Sequence, residues 1–193
     1  MDRSPLLHFF LSSQLVGPLS AAQIAEQFRP RLLAKGELFL KEGRVSNEYL
    51  FLQQGTMRAF AHDPQGADLT TSFYTSGAVV FEVSSFFQRK PSQENIQALT
   101  DCEGWIISYE ELNGLFHSMP EFREFGRSVL VRGYAALKDR MLGHITETAE
   151  KRYEHLLEQA PEIFQYAPLK NIASYLGVTD TSLSRIRKEL TRK

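Results

Sequence analysis

The chain contains 193 residues, with 22 basic and 23 acidic side chains and 42% hydrophobic residues. These are the values of a globular protein with one medium domain, or with one larger domain and a small one. No run of 18 apolar residues is present, so the sequence predicts no membrane-spanning helix. Cys102 is the only cysteine, which excludes a disulfide framework, a four-cysteine zinc site and an iron–sulfur cluster ligated within one chain. The first residues carry neither a basic leader nor a small-residue cleavage site, and we expect a cytoplasmic protein.

Residues 5–29 have the apolar spacing of helices. Gly17 and Pro18 interrupt the pattern, and Ser20 is the predicted N-cap of the second helix. The apolar positions are Leu6, Leu7, Phe9, Phe10, Leu15, Leu19, Ile24 and Phe28.

Residues 30–110 are predicted to form short strands, because apolar clusters alternate there with glycines. The clusters are 38–40, 49–52, 57–61, 69–74, 79–83, 96–99 and 105–109. Residues 63–66, with the sequence DPQG, form a turn in which proline presets φ and glycine accepts a positive φ. Many short strands at this spacing predict a sandwich, a barrel or a roll.

Residues 110–193 are predicted to be helical again. Pro120 and Glu121 suit the first turn of a long helix that continues to about Glu147. Its apolar stripe, at spacings of three and four, comprises Phe122, Phe125, Val129, Leu130, Tyr134, Leu137, Met141 and Ile145. Such a stripe predicts a coiled-coil dimer seam over residues 119–147; a long helix packed on its own domain is the alternative. A further helix is expected over 150–159.

Residues 169–193 differ from the rest of the chain in charge. They hold six basic and two acidic side chains, which gives this segment a charge of +4. Because the whole chain has a net charge of −1, residues 1–168 carry a charge of −5. The basic residues are Lys170, Arg185, Arg187, Lys188, Arg192 and Lys193. A basic end on an acidic body indicates contact with a polyanion, whereas a solvated basic tail is the simpler alternative.

Residues 169–188 have the pattern of two helices joined at Gly177. Their predicted inner positions are Ile172, Ala173, Leu176, Leu183 and Ile186. Ala173 must be small where the helices cross, Val178 fills the corner, and Thr179 caps the second helix. This is the helix-turn-helix pattern, whose second helix enters the DNA major groove; an ordinary helical hairpin is the alternative. The candidate DNA-binding residues are Thr179, Asp180, Thr181, Ser182, Ser184, Arg185, Arg187 and Lys188.

A glycine-punctuated roll, a long helix and a C-terminal helix-turn-helix together resemble the Crp/Fnr family of bacterial transcription regulators. The segments EKRYEHLLEQAPEIF and NIASYLGVTDTSLSRIRKEL are similar to Crp-like members from Bacteroidetes-type bacteria. The resemblance implies an α+β protein with a cyclic-nucleotide-binding-like β-roll domain with N-terminal helices (1–118), a dimerisation helix (119–147) and a helix-turn-helix domain (148–193). It also implies a homodimer that binds a palindromic promoter site on double-stranded DNA, with RNA polymerase as a further candidate partner.

The effector pocket departs from the pattern of cyclic-AMP-binding members. The resemblance places the ribose-binding glutamate at Glu82, followed by Val83, and the phosphate-binding arginine at Ser92, followed by Gln93 and Glu94. A cyclic phosphate in an enclosed site needs a paired cation; Arg89 or Lys90 could supply one only if the loop took another path. We therefore expect that cyclic AMP is not the ligand and that an effector is either a different small molecule or absent.

The predicted recognition helix departs from the family as well. Arg185 occupies the position of the family's arginine, which suits a bidentate contact to guanine, but Thr181 replaces a glutamate. The target sequence therefore cannot be carried over. Because the sequence stops a few residues past this helix, we expect little or no wing, with the basic residues at 187, 188, 192 and 193 replacing some phosphate contacts.

Other classes of function have little support in the sequence. Haem sensing would need axial ligands, but His8, His62, His117, His144 and His155 are scattered. A metal enzyme of the cupin type would need a histidine cluster, and no nucleophile elbow surrounds Ser84 and Ser85. We expect no enzyme activity, catalytic residue, metal or cofactor. The alternative to a regulator is a small-molecule sensor or protein-interaction module that has lost DNA binding.

Overall fold

The computed structural model describes residues 1–190 of the chain. The helices are α1 (Ser4–Leu11), α2 (Pro18–Glu26), α3 (Val83–Gln88), α4 (Tyr109–Ser118), α5 (Pro120–Thr146), α6 (Ala149–Gln159), α7 (Ile163–Tyr166), α8 (Leu169–Leu176) and α9 (Asp180–Leu190). The strands are β1 (Arg29–Leu33), β2 (Leu38–Leu40), β3 (Glu48–Gln54), β4 (Met57–His62), β5 (Asp68–Tyr74), β6 (Val79–Val80), β7 (Asn95–Ala98) and β8 (Cys102–Ser108). The order confirms an α+β protein with an N-terminal β region and a C-terminal helical region.

The strands form two four-stranded sheets, in the orders β1-β8-β3-β6 and β2-β7-β4-β5. Their pairings are antiparallel. The predicted turn joins β4 to β5: Gly66 has a φ of +83°, and the Asp63 carboxylate accepts the Gln65 and Ala67 N–H groups at 2.9 and 2.8 Å. Apolar side chains from both sheets, including Leu50 and Met57, fill the space between them. The fold is therefore a β-roll closed by short turns.

The N-terminal helices begin earlier than the sequence pattern indicated. Helix α2 starts at Pro18, with Gly17 at the N-cap, so the prediction of Ser20 as the cap is wrong and Ser20 lies inside the helix. Proline suits this start because its missing N–H would have no partner in the first turn.

The predicted strand over 79–83 is partly wrong. Only Val79 and Val80 are in strand β6, and the chain turns into helix α3 at Val83. Strand β1 was not predicted as a separate cluster. It contains Pro30, which is tolerated because β1 lies at the edge of its sheet.

Helix α5 has one half packed on the roll and one half exposed. Phe122 and Phe125 are buried in a cluster with α1, α2 and strands of the roll, whereas the apolar side chains from Leu130 to Ile145 are exposed. Between residues 1 and 190, no helix is long and apolar enough to cross a membrane.

Candidate nucleic-acid interface and effector pocket

Helices α8 and α9 cross at the glycine that the sequence predicted. Gly177 has a φ of +68°, and the Val178 N–H donates to the Ala173 carbonyl at 3.0 Å, which closes the end of α8. A Cβ at residue 177 would lie 3.4 Å from the His144 ring. Only a residue without a side chain fits this turn without strain.

A small apolar core fixes the angle between the two helices. The five inner residues predicted for the helix-turn-helix are all buried: Ile172, Ala173, Leu176, Leu183 and Ile186. They belong to one cluster with Tyr153 and Leu156 of α6 and with Ile163 of α7. The guanidinium of Arg152 adds two hydrogen bonds to the Leu176 carbonyl, at 2.9 and 3.3 Å. The pair of helices is thus held as one unit.

Helix α9 presents one polar face that no other described element covers. Thr181, Ser184, Arg185 and Lys188 are all exposed, and their spacing of three, one and three residues places them on the side opposite the buried Leu183 and Ile186. Hydroxyl and basic side chains on one helical face can contact base edges and phosphates together.

The other candidate DNA-binding residues lie around this face. Thr179 accepts the Ser182 N–H at 3.2 Å and thereby caps α9, and Ser182 is half-buried beside it. Asp180 and Arg187 are exposed on the flank. Arg185 also lies 3.9 Å from Glu189. The remaining basic residues of the predicted tail, Arg192 and Lys193, lie outside the described residues.

The glutamate of the predicted effector pocket, Glu82, forms hydrogen bonds with the main chain of its own loop. The Glu82 carboxylate accepts the N–H groups of Ser84 and Ser85 and so caps α3. Val83 is exposed at the first position of that helix. This use of Glu82 explains why the chain becomes helical at a point where its apolar residues resemble a strand.

Ser92 is likewise held inside its own loop. It is buried, and its hydroxyl donates to the Glu94 carbonyl at 2.8 Å and accepts the Glu94 N–H at 3.0 Å. Gln93 is exposed. Arg89, the nearest arginine in the chain, points elsewhere: it donates to the Ser46 carbonyl at 3.0 Å and lies over the Tyr109 ring. None of these side chains offers a cation at the position that a cyclic phosphate would need.

Two acidic side chains lie close enough to influence each other at this loop. Burial, and then the charge of Glu82, raise the pKa of Glu94, while a hydrogen bond with Thr71 and the charge of Arg140 act in the opposite direction. Burial and the same two carboxylates raise the pKa of Tyr74 to about 12. Burial and the two carboxylates therefore disfavour a further negative charge at this loop, and the charge of Arg140 offsets part of that effect.

Replacing Glu94 with glutamine is expected to stabilise the fold at neutral pH, by at most about 1 kcal/mol because solvent screens the partly exposed carboxylate. A carboxyl group whose pKa is raised in the folded state favours folding only while it is protonated. The advantage of the Glu94→Gln variant should therefore shrink as pH falls through the pKa of Glu94. Urea denaturation at several pH values measures this. Glu103→Gln, at an exposed position of β8, should change stability by less than about 0.5 kcal/mol; equal effects of the two variants would contradict the argument.

A set of contacts that the sequence did not predict joins α8 to the roll and to α5. The Thr70 N–H donates to the Ser174 hydroxyl at 3.0 Å, and the Phe73 and Tyr175 rings lie 5.1 Å apart. Arg140 of α5 donates to the Thr71 carbonyl and lies over the Tyr175 ring at 5.1 Å. These residues come from three distant parts of the chain, so no local motif could identify them.

Comparison with known proteins agrees with this architecture. Residues 30–119 match the model of the cyclic nucleotide-binding domain. The fumarate and nitrate reduction regulatory protein of Vibrio cholerae is 24% identical over 176 residues, which are 85% of this chain and 68% of that protein.

In the part of the chain that the structure describes, no group of three histidine, cysteine, aspartate or glutamate side chains could hold a metal ion.

Solved structures show the same fold at low sequence identity. FixK2 from Bradyrhizobium japonicum superposes with a TM-score of 0.74 at 17% identity, over 86% of this chain and 85% of that one. The c-di-GMP-responsive global regulator CLP of Xanthomonas campestris superposes with a TM-score of 0.67 at 17% identity, over 95% of this chain and 91% of that one.

Proposed function

We propose that the chain is a transcription regulator of the Crp/Fnr type, a homodimer that binds palindromic promoter DNA without cyclic AMP; the match of residues 30–119 to the cyclic nucleotide-binding domain, the relative from Vibrio cholerae and the fold shared with FixK2 support this proposal. The observation that carries the proposal is the exposed face of α9, where Thr181, Ser184, Arg185 and Lys188 lie together on a folded helix-turn-helix. The Bacteroidetes-type subgroup stays a prediction, as does the three-part division at residues 118 and 147.

The exposed half of α5 supports the proposed dimer. Tyr134, Leu137, Met141 and Ile145 are each more than half exposed and are spaced by three or four residues, as in the seam of a two-stranded coiled coil. A second copy of the same helix would cover them and would place two helix-turn-helix units for two half-sites.

The arrangement of Glu82, Ser92 and Glu94 supports control without cyclic AMP. A cyclic phosphate at this loop would lie near two carboxylates, and neither Ser92 nor Arg89 supplies the cation that the family's pattern places there. Desolvating an anion without a paired cation is costly. The proposed regulator responds to a different small molecule or to none.

The decisive experiment is selection of bound sequences from a random duplex pool by the purified chain with no ligand added. An enriched palindrome would support the proposal, and its half-site spacing would report the geometry of the dimer. If nothing is enriched with or without cyclic AMP, and the protein also fails to bind nonspecific duplex at low salt, the alternative of a sensor or interaction module without DNA binding would be favoured.

Replacing Arg185 with alanine is expected to weaken binding to the selected site by about 1–3 kcal/mol and to relax the preference at one base pair. The reason is that a bidentate arginine contact to guanine discriminates between bases. The matched variant Lys188→Ala should instead weaken all sequences equally and reduce the salt slope by about 1. Fluorescence anisotropy with the selected duplex and with single-base variants separates the two results. If Arg185→Ala kept the full base preference, Arg185 would not be the residue that recognises the base.

A further inference from the structure

A cleft lies between the C-terminal half of α5, helix α6 and helix α8, outside the loop of Glu82 and Ser92. The face of α5 that carries the buried Phe122 and Phe125 continues toward this cleft. Beyond the roll, that face changes from large apolar residues to small and charged ones, among them Gly133, Ala136 and Arg140. The change leaves an open volume of about 570 Å³, which is within the range of small-molecule sites.

The lining of the cleft brings two arginines and two histidines together with two carboxylates. Its charged and titratable groups are Asp139, Arg140 and His144 of α5, Glu147 after α5, Arg152 and His155 of α6, and Tyr175 of α8. The described hydrogen bonds of both arginines go to main-chain carbonyls: Arg152 donates to those of Glu147 and Leu176, and Arg140 to that of Thr71. A carbonyl satisfies a guanidinium N–H but does not cancel its charge.

The two carboxylates of the cleft, Asp139 and Glu147, formally balance the charges of the two guanidiniums. Glu147 is paired with His155, whose Nδ1 lies 3.3 Å from a carboxylate oxygen. Arg140 and Arg152 nevertheless both act on His144: burial, and then the charges of Arg152 and Arg140, lower the pKa of its imidazole, while a hydrogen bond to the main chain of Tyr175 acts in the opposite direction.

We propose that this cleft binds a small organic oxyanion, a carboxylate or phosphate carried on an apolar body, with the anionic group between Arg140, Arg152 and His144. Both guanidiniums have N–H groups left for a planar or tetrahedral oxyanion after their bonds to the main chain. Leu156 and Leu176 also line the cleft and supply the surface that an aromatic or aliphatic body would cover. The site does not depend on the proposed DNA binding.

The test uses the full-length chain without DNA and follows the ring resonances of His144 by NMR, assigned with a His144→Gln variant. The probes are benzoate and phenyl phosphate, with inorganic phosphate as the anion without an apolar body and benzyl alcohol as the body without an anion. We expect saturable shifts with at least one of the two aromatic oxyanions and a rise in the pKa of His144 on binding. Which of the two binds more tightly distinguishes a carboxylate site from a phosphate site.

Two pairs of variants make the result specific to the cleft. Ala136→Phe fills the cleft without changing its charge and should weaken the oxyanion at least about tenfold, whereas Ala135→Phe, at the neighbouring residue outside the lining, should leave the affinity unchanged. Arg152→Gln should weaken it to a similar degree and Arg132→Gln should not. Absence of saturable shifts at about 10 mM of either aromatic oxyanion, equal shifts with benzyl alcohol, or unchanged affinity in Ala136→Phe would overturn the proposal.

A second measurement separates this site from the proposed regulatory function. Because an occupant would contact both α5 and α8, its binding should change the affinity for the selected duplex, and DNA should change the affinity for the oxyanion by the same factor. Oxyanion binding in a protein that selects no DNA sequence, with or without the oxyanion, and that binds no nonspecific duplex at low salt would establish the cleft and refute the proposed function. DNA selection without oxyanion binding would give the reverse result.

Discussion

The Leu137→Asp variant is expected to sediment as a monomer and to lose affinity for a palindromic duplex by roughly two to four orders of magnitude. Leu137 is 56% exposed at the centre of the α5 stripe, so the substitution removes little from the fold of one chain. In the proposed dimer, it would bring two carboxylates close together in an apolar seam, where desolvation and like-charge repulsion both oppose association. A single helix-turn-helix contacts only a half-site, so loss of the dimer removes the gain from binding both half-sites together.

The control for this prediction is Ala135→Asp. Residue 135 lies on the same helix, is exposed and is roughly 160° around the axis from Leu137. The Ala135→Asp substitution therefore introduces the same charge as Leu137→Asp, with a similar loss of helix propensity, but away from the apolar stripe. Sedimentation velocity and binding to full and half-site duplexes should show the Ala135→Asp variant as a dimer with nearly normal affinity. A Leu137→Asp protein that remained dimeric would place the dimer interface elsewhere.

The helix-turn-helix was the part of the fold that the sequence predicted in most detail. Its requirements are local: Ala173 where two helices cross, Gly177 at a positive φ, and Thr179 at an N-cap are separated by only a few residues. A pattern that depends on short spacings can be recognised without knowing what surrounds it. The start of α5 at Pro120 was predictable for the same reason.

Helix α3 shows where local pattern fails. Val83, Phe86 and Phe87 are apolar and aromatic residues that suit a strand as well as a helix, and the segment is only six residues long. Its conformation is decided by the Glu82 cap and by burial of Phe86 in the core. The conformation of β1 is likewise decided by a distant part of the chain, because β1 pairs with β8 over a separation of about 70 residues.

The two candidate sites differ in the same way, because one follows from a local sequence pattern and the other depends on contacts between distant residues. The polar face of α9 follows from helical spacing, and the structure places Thr181, Ser184, Arg185 and Lys188 on one exposed side as that spacing required. The cleft does not follow from any spacing, because Arg140, Arg152 and Tyr175 come from three elements and are brought together by packing alone. The sequence therefore predicted the polar face of α9, which is proposed to bind DNA, but not the cleft that is proposed to bind a small molecule.

The Phe10→Ala variant is expected to lower the free energy of unfolding by about 3–5 kcal/mol, the usual cost of deleting a buried phenylalanine ring. Phe10 is fully buried, and its ring lies 5.3 Å from that of Phe125 and 5.7 Å from that of Phe28. The Phe10 ring therefore packs helix α1 against the first turns of α5. These turns belong to the half of α5 that is buried on the roll and so cannot contact a second copy.

Urea denaturation at one fixed protein concentration measures this cost, because a dimer's stability depends on concentration. Leu19→Ala, in α2 and 84% exposed, is the control and should change stability by less than about 0.5 kcal/mol. If Phe10→Ala were equally mild, α1 would not belong to the cooperative core. A large loss would show that the attachment of α5 to the roll depends on this aromatic cluster.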